Sequence, residues 1–142
     1  MVHGAIVVIY IKEGEGQKFL IVDAAMNDLI RPAMYEAHHE IVPVNEPPVG
    51  QEPHTYDVVG PVCESGDTFA KKRDLAELYD GDLVAFRSAG AYGAVMASNY
   101  NSRSPAAEVM VVDGTTHLLR AARPIAEYIN EEMIPNFADI PE

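Results

Sequence analysis

Short apolar runs rich in β-branched residues, each closed by Gly, Pro, Asn or Asp, recur along the chain and set a strand-like pattern from its start. Ala5 to Lys12 reads as a strand, Glu13-Gly-Glu-Gly16 as a turn and Lys18 to Asp23 as the returning strand. The first twenty-three residues therefore predict a β-hairpin. Ala24 to Tyr35 has no clean period, and Pro32 breaks a helix through its middle, leaving an irregular segment with a short helical turn. His39 to Val44 predicts a strand with Pro43 at an edge or an end, Asn45 to Pro53 a loop, and Thr55 to Cys63 another strand. Asp74 to Tyr79 predicts one helical turn before the Asp80-Gly81 turn, and Asp82 to Phe86 a strand. Ser88 to Ala97 is rich in small residues and ambiguous; Asn99 to Pro105 is a polar loop. Glu108 to Val112 and Thr115 to Arg120 flank Asp113-Gly114, which suits a two-residue type I′ hairpin turn. Pro124 opens an amphipathic helix to about Met133, with Ile125, Tyr128, Ile129 and Met133 on one face. Many short strands, little helix and no βαβ alternation predict a mainly β domain over residues 1–142. Its architecture is an antiparallel β-barrel or sandwich with a few short helices; the strand order is not legible.

Composition narrows the partners. The 142 residues suit one domain, and 48% hydrophobic residues suffice for a core without staples. Ten Lys and Arg against 22 Asp and Glu give a formal charge of −12, which disfavours binding to a nucleic-acid backbone. The longest apolar run, Ala5 to Ile11, is far shorter than the roughly 20 residues of a membrane span. No leader-like segment opens the chain, and the single cysteine, Cys63, allows no internal disulfide, so a cytoplasmic location is expected. His38 and His39 are neighbours whose side chains point apart, and no zinc-like spacing occurs, so no metal site is expected.

Three segments carry candidate chemistry. Cys63 at a strand end reads either as a small buried hydrophobe or as a proton donor; its acidic neighbours Glu64 and Asp67 disfavour a thiolate nucleophile. Arg31, in an apolar stretch, is either a snorkelling surface residue or a carboxylate clamp. Gly90-Ala91-Tyr92-Gly93 is a tight turn or a place where backbone approaches a phosphate. Tyr35 and Tyr92, by themselves, read as core or interface packing.

The wording of these segments is more specific than their periodicity. Val22 to Pro32 with Tyr35, Val59-Gly-Pro-Val-Cys-Glu-Ser-Gly-Asp67, and Gly90-Ala-Tyr-Gly93 followed by Met96, Ser98 to Arg103 and Glu108 stand in one order. Together they resemble the diaminopimelate decarboxylase family, within the alanine-racemase-like enzymes that depend on pyridoxal phosphate. The likeness runs from about Lys12 to Arg120. It implies a C-terminal β-domain without the TIM-type barrel, which needs about 250 residues and carries the cofactor-anchoring lysine. None of Lys12, Lys18, Lys71 and Lys72 stands in a matching motif. The resemblance assigns Cys63 as the proton donor reaching the partner subunit's site. It assigns Arg31 and Tyr35 to the distal carboxylate of the substrate, Glu64 to its distal ammonium, and Tyr92 to cofactor and substrate. A homodimer with shared sites, meso-diaminopimelate as substrate and L-lysine as product follow as expectations. His38 and Ser104-Pro-Ala depart from the family pattern without touching an assigned role, and Met1 to Val8 fits it poorly. The family's added N-terminal strand would be missing here, which leaves an open sheet edge.

The residue types suit that substrate. A group ending in both ammonium and carboxylate needs one anion and one cation, which Glu64 and Arg31 supply. A diamine precursor needs only the acid and would leave a buried arginine unpaired. Two other readings stay open: a related decarboxylase with another substrate, and a stand-alone β-domain that binds a partner barrel. The chain by itself is expected to be inactive.

Overall fold

The computed structural model describes residues 3–135, which fall into two compact units dividing between Asn101 and Ser102. In the first unit β1 (His3–Gly14), β2 (Gln17–Val22), β3 (Ile41–Pro43), β4 (His54–Val59), β5 (Thr68–Leu75) and β6 (Leu83–Arg87) form one sheet. Its order is β3-β6-β1-β2-β4-β5. The expected mainly β, barrel-like architecture is observed. All ladders are antiparallel except β2 with β4, which pair in parallel from Lys18/Tyr56 to Ile21/Val59.

The long strand β1 serves both halves of this sheet. Its first part pairs with β6 and its second with β2, with the register shifting between Val8 and Tyr10. Asp23 and Asp80 support the switch, accepting the N–H groups of Val7 at 2.8 Å and Ile11 at 3.2 Å. The hairpin turn sits at Glu15-Gly16, where Gly16 takes φ +73°, a left-handed value that glycine adopts without a Cβ penalty. Ile6, Val8, Leu20, Val22, Val58, Val84 and Phe86 alternate inward and form the core. Phe69 meets Phe86 edge to face at 4.9 Å, and buried Tyr56 turns its hydroxyl to accept the Leu78 N–H.

The edge strands β3 and β5 come close without a ladder. Arg73 of β5 reaches the residues just before β3, donating to the His39 carbonyl at 3.0 Å and to His38 Nδ1 at 3.1 Å. His39 is buried and donates from Nδ1 to the Arg87 carbonyl, so the two histidines do point apart.

Several boundaries differ from the sequence pattern. Asp74 and Leu75 do not start a helix; they end β5, paired with Thr55 and His54 of β4, and that pairing outweighs the local helical preference. β4 stops at Val59 rather than Cys63, because the next residues fold around the Asp67 carboxylate. The ambiguous small-residue segment is helix α2 (Gly90–Met96), and the short turn in the first irregular segment is α1 (Arg31–Tyr35), with Pro32 in its first turn. Pro32 opens this helix rather than breaking it, since a first-turn N–H needs no partner inside the helix.

The second unit holds the hairpin β7 (Glu108–Val112) and β8 (Thr115–Arg120), with Asp113 and Gly114 both at positive φ as a type I′ turn requires. Helix α3 (Ile125–Ile129) is shorter than predicted. Asn130 caps it. Met133 therefore lies beyond the helix and is 91% exposed. No helix among the described residues is long and apolar enough to cross a membrane.

Candidate functional site

Three connections within the first unit hold the candidate residues, and a small set of buried polar groups ties the connections together. The first runs from Asp23 to α1. Ala25 N–H donates to Asp28 Oδ2 at 2.9 Å while Asp28 N–H returns to the Ala25 carbonyl at 2.8 Å, a tight local turn. From it the chain enters α1, which carries Arg31 and, one turn later, Tyr35. The second connection is Gly60 to Asp67. Val62 is buried beneath it, whereas Cys63, Glu64 and Ser65 face solvent. The third is α2 with the following Ala97 to Asn101, which carries Tyr92 and Tyr100.

Asp67 joins the first two. It is 3% exposed; Oδ1 accepts the Met26 N–H at 2.7 Å and Oδ2 accepts the Val62 N–H at 2.8 Å. Asn27 joins the first to the third: its Nδ2 donates to the Ser98 carbonyl at 3.2 Å, and Ser98 N–H donates back to the Asn27 carbonyl at 2.9 Å. These bonds satisfy buried polar groups that would otherwise cost free energy, so they are structural necessities as well as ties.

The sequence-predicted residues fall into two contacts. The Arg31 guanidinium lies over the Tyr92 ring, 5.5 Å from its centroid, and among the described residues no carboxylate pairs with it. Glu64 Oε2 accepts a hydrogen bond from the Tyr100 hydroxyl at 3.4 Å, and its Oε1 accepts one from the Gly66 N–H at 3.4 Å. Cys63 is free and exposed, so it is not a buried hydrophobe. Tyr35 and Tyr92 are 60% and 66% exposed, so neither packs in the core of this chain. Gly90 to Gly93 is helical rather than a tight turn. Gly93 is buried against Leu29, which brings α2 to the first connection.

Tyr100, Asn27 and Asp67 were not singled out as site residues from the sequence. All three lie inside the quoted motifs, but a type and a spacing do not disclose which polar side chain turns inward. Functionally, the arrangement offers one cation on an aromatic platform, one hydrogen-bonded anion and one exposed thiol on segments tied at Asp67 and Asn27. This set suits the polar end of a zwitterionic ligand. None of Lys12, Lys18, Lys71 and Lys72 lies on these three connections, and Lys18 is engaged with Glu13 at 3.0 Å.

The barrel-like sheet with these groups on its connecting loops defines a small β-domain that presents polar side chains rather than a complete catalytic centre. Residues 4–90 match the family described as pyridoxal-dependent decarboxylase, C-terminal sheet domain, and the chain belongs to that family. Among similar proteins is the diaminopimelate decarboxylase of Pseudomonas aeruginosa, 54% identical over 127 residues that cover 89% of this chain and 30% of the relative. The diaminopimelate decarboxylase of Vibrio cholerae is 54% identical over 78% of this chain and 26% of its own length. The crystal structure of diaminopimelate decarboxylase from M. jannaschii in complex with L-lysine superposes with a TM-score of 0.87 at 35% identity, covering 94% of this chain and 30% of that one. The lysine/ornithine decarboxylase of Vibrio vulnificus, in complex with cadaverine, is less similar: TM-score 0.64, 28% identity, 73% of this chain and 28% of that one. The chain thus spans about 30% of the length of its similar relatives.

Proposed function

We propose that this chain is the C-terminal β-domain of a diaminopimelate decarboxylase, which converts meso-2,6-diaminopimelate to L-lysine and carbon dioxide with pyridoxal phosphate. The observation that carries this reading is the pairing of an uncommitted cation with an anion: Arg31 on Tyr92, and Glu64 under Tyr100. Arg31 with Tyr35 would take the distal carboxylate and Glu64 the distal ammonium. An amine-only substrate end would leave Arg31 without a partner, which argues against a lysine- or ornithine-type substrate.

The cofactor, held by a TIM-type barrel outside this chain, supplies the electron sink when carbon dioxide departs. Tyr92 would lie beside cofactor and substrate. Cys63 would deliver its thiol proton to the α-carbon that has lost carbon dioxide, and solvent would restore that proton. The enzyme would act as a homodimer with shared sites, Cys63 serving the partner's reaction. The free, exposed thiol of Cys63 suits a reducing compartment, and the cytoplasm is the proposed location.

The test uses the complete enzyme. Cys63→Ala should lower kcat on meso-diaminopimelate by about 10²-fold or more, as expected for loss of a general acid. Cofactor absorbance should stay unchanged. Wild-type turnover in Cys63→Ala removes that role. Stronger turnover of a substrate lacking the distal carboxylate would support a different substrate class. The isolated chain should release no carbon dioxide.

A further inference from the structure

We propose that Asp67 is a positioning residue: its one carboxylate sets the separation between the loop that carries Cys63 and Glu64 and the segment that leads to Arg31. This deepens the substrate reading above and rests on it.

The geometry is unusual for a surface loop. Asp67 is 3% exposed, and its two oxygens take backbone N–H donors from different segments. Oδ2 holds Val62, immediately before Cys63, and Oδ1 holds Met26, five residues before Arg31. Asp67 also closes its own loop: its carbonyl accepts Gly60 N–H at 3.0 Å and its N–H donates to the Glu64 carbonyl at 3.0 Å. The loop is therefore bound at both ends and in its middle by one residue.

Gly60 shows how tightly that place is filled. A Cβ there would lie 2.3 Å from Asp67 Oδ2 and 2.5 Å from Oδ1, distances at which something must move. Position 60 has no left-handed backbone demand. The glycine is required by the carboxylate, so Gly60 and Asp67 act as one device. This carboxylate joins two segments, and they bear the opposite charges that would grip one substrate end.

Two variants perturb the device from different sides. Asp67→Asn keeps the shape, but its amide NH2 turns a donor toward one of the two N–H groups. Gly60→Ala leaves the carboxylate intact and occupies its space. In this chain, amide exchange at Met26 and Val62, read by NMR, should accelerate about tenfold or more in both variants, equivalent to about 1.4 kcal/mol of local opening. Amides of β1 and β6 should keep their protection. Unchanged exchange at Met26 and Val62 would overturn the proposal. In the complete enzyme, Asp67→Asn should raise KM for meso-diaminopimelate and lower kcat/KM by roughly 10²-fold, the cost of about 1 Å of misplacement. It should also narrow the preference for that substrate over an analogue lacking the distal carboxylate. A lower melting temperature with KM and that preference intact would reduce Asp67 to a structural brace and overturn the proposal. Failure of the wild-type enzyme on meso-diaminopimelate would sink the substrate reading instead, while the exchange experiment still decides whether Asp67 holds both segments.

Discussion

Arg31 holds its guanidinium carbon over the ring of Tyr92, 5.5 Å from the centroid, and this contact joins α1 to α2. Such a contact is worth about 0.5–1 kcal/mol where solvent reaches it, too little to explain an arginine in an apolar stretch by stability alone. A guanidinium can grip a carboxylate with two parallel bonds, so an arginine held here has a chemical use beyond stability.

Arg31→Ala should therefore act on substrate binding more than on folding. A hydrogen bond to a charged group contributes about 1.5–3 kcal/mol, so KM for meso-diaminopimelate should rise about tenfold to a hundredfold in the complete enzyme. Arg31→Lys should recover only part of this, because an ammonium lacks the planar fork. Steady-state kinetics with both variants, beside thermal melts to confirm folding, check the expectation.

Asp57 and Lys72 form a second cross-strand device, on β4 and β5 rather than on the three connections. Lys72 sits within β5 at φ +49°, and its N–H donates to Asp57 Oδ1 at 2.7 Å; Gln17 Nε2 donates to the other oxygen. Asp57→Ala strands these donors and should cost about 1–3 kcal/mol. Lys72→Gly removes the left-handed penalty and should be neutral or stabilising by up to about 1 kcal/mol. Urea titrations of the isolated chain measure both.

The barrel interior should be intolerant at Phe86, 1% exposed and edge-on to Phe69. Phe86→Ala creates a large cavity beside Phe69 and should cost about 3–5 kcal/mol. Loss of a cooperative melt, or a sharply lower melting temperature, is the expected result.

Stability should decline at alkaline pH. The Glu13 carboxylate beside Lys18 raises that ammonium's pKa above its ordinary 10.5, and the hydrogen bond to Glu77 raises Tyr79 above its ordinary 10.0. Each folded-state pKa exceeds the unfolded one, so the stabilisation is complete below the unfolded value and is lost as pH rises through the folded value. Melting temperature should fall beyond about pH 10, and Glu13→Gln and Glu77→Gln should each flatten that fall.

How far local chemistry reaches is clear from two strand pairs. β7–β8 was legible because Asp113-Gly114 dictates its own turn, and β1–β2 because Gly16 supplies the left-handed residue between alternating strands. β5 was not legible: Lys71, Lys72 and Arg73 interrupt its apolar pattern, and the bulge at Lys72 depends on a carboxylate fifteen residues away. The parallel contact of β2 with β4 joins residues 38 apart, which no turn signal encodes.

The chain's own residues determined the mainly β architecture, its hairpins and the identity of Arg31, Tyr35, Cys63, Glu64 and Tyr92 as candidates, because alternation, turn chemistry and motif wording are local properties. Tertiary structure alone decided that Cys63 is exposed, that Tyr100 meets Glu64, and that Asp67 turns inward to bind Val62 and Met26. A carboxylate faces solvent or core according to which backbone donors the fold brings to it, and those donors come from segments far apart along the chain.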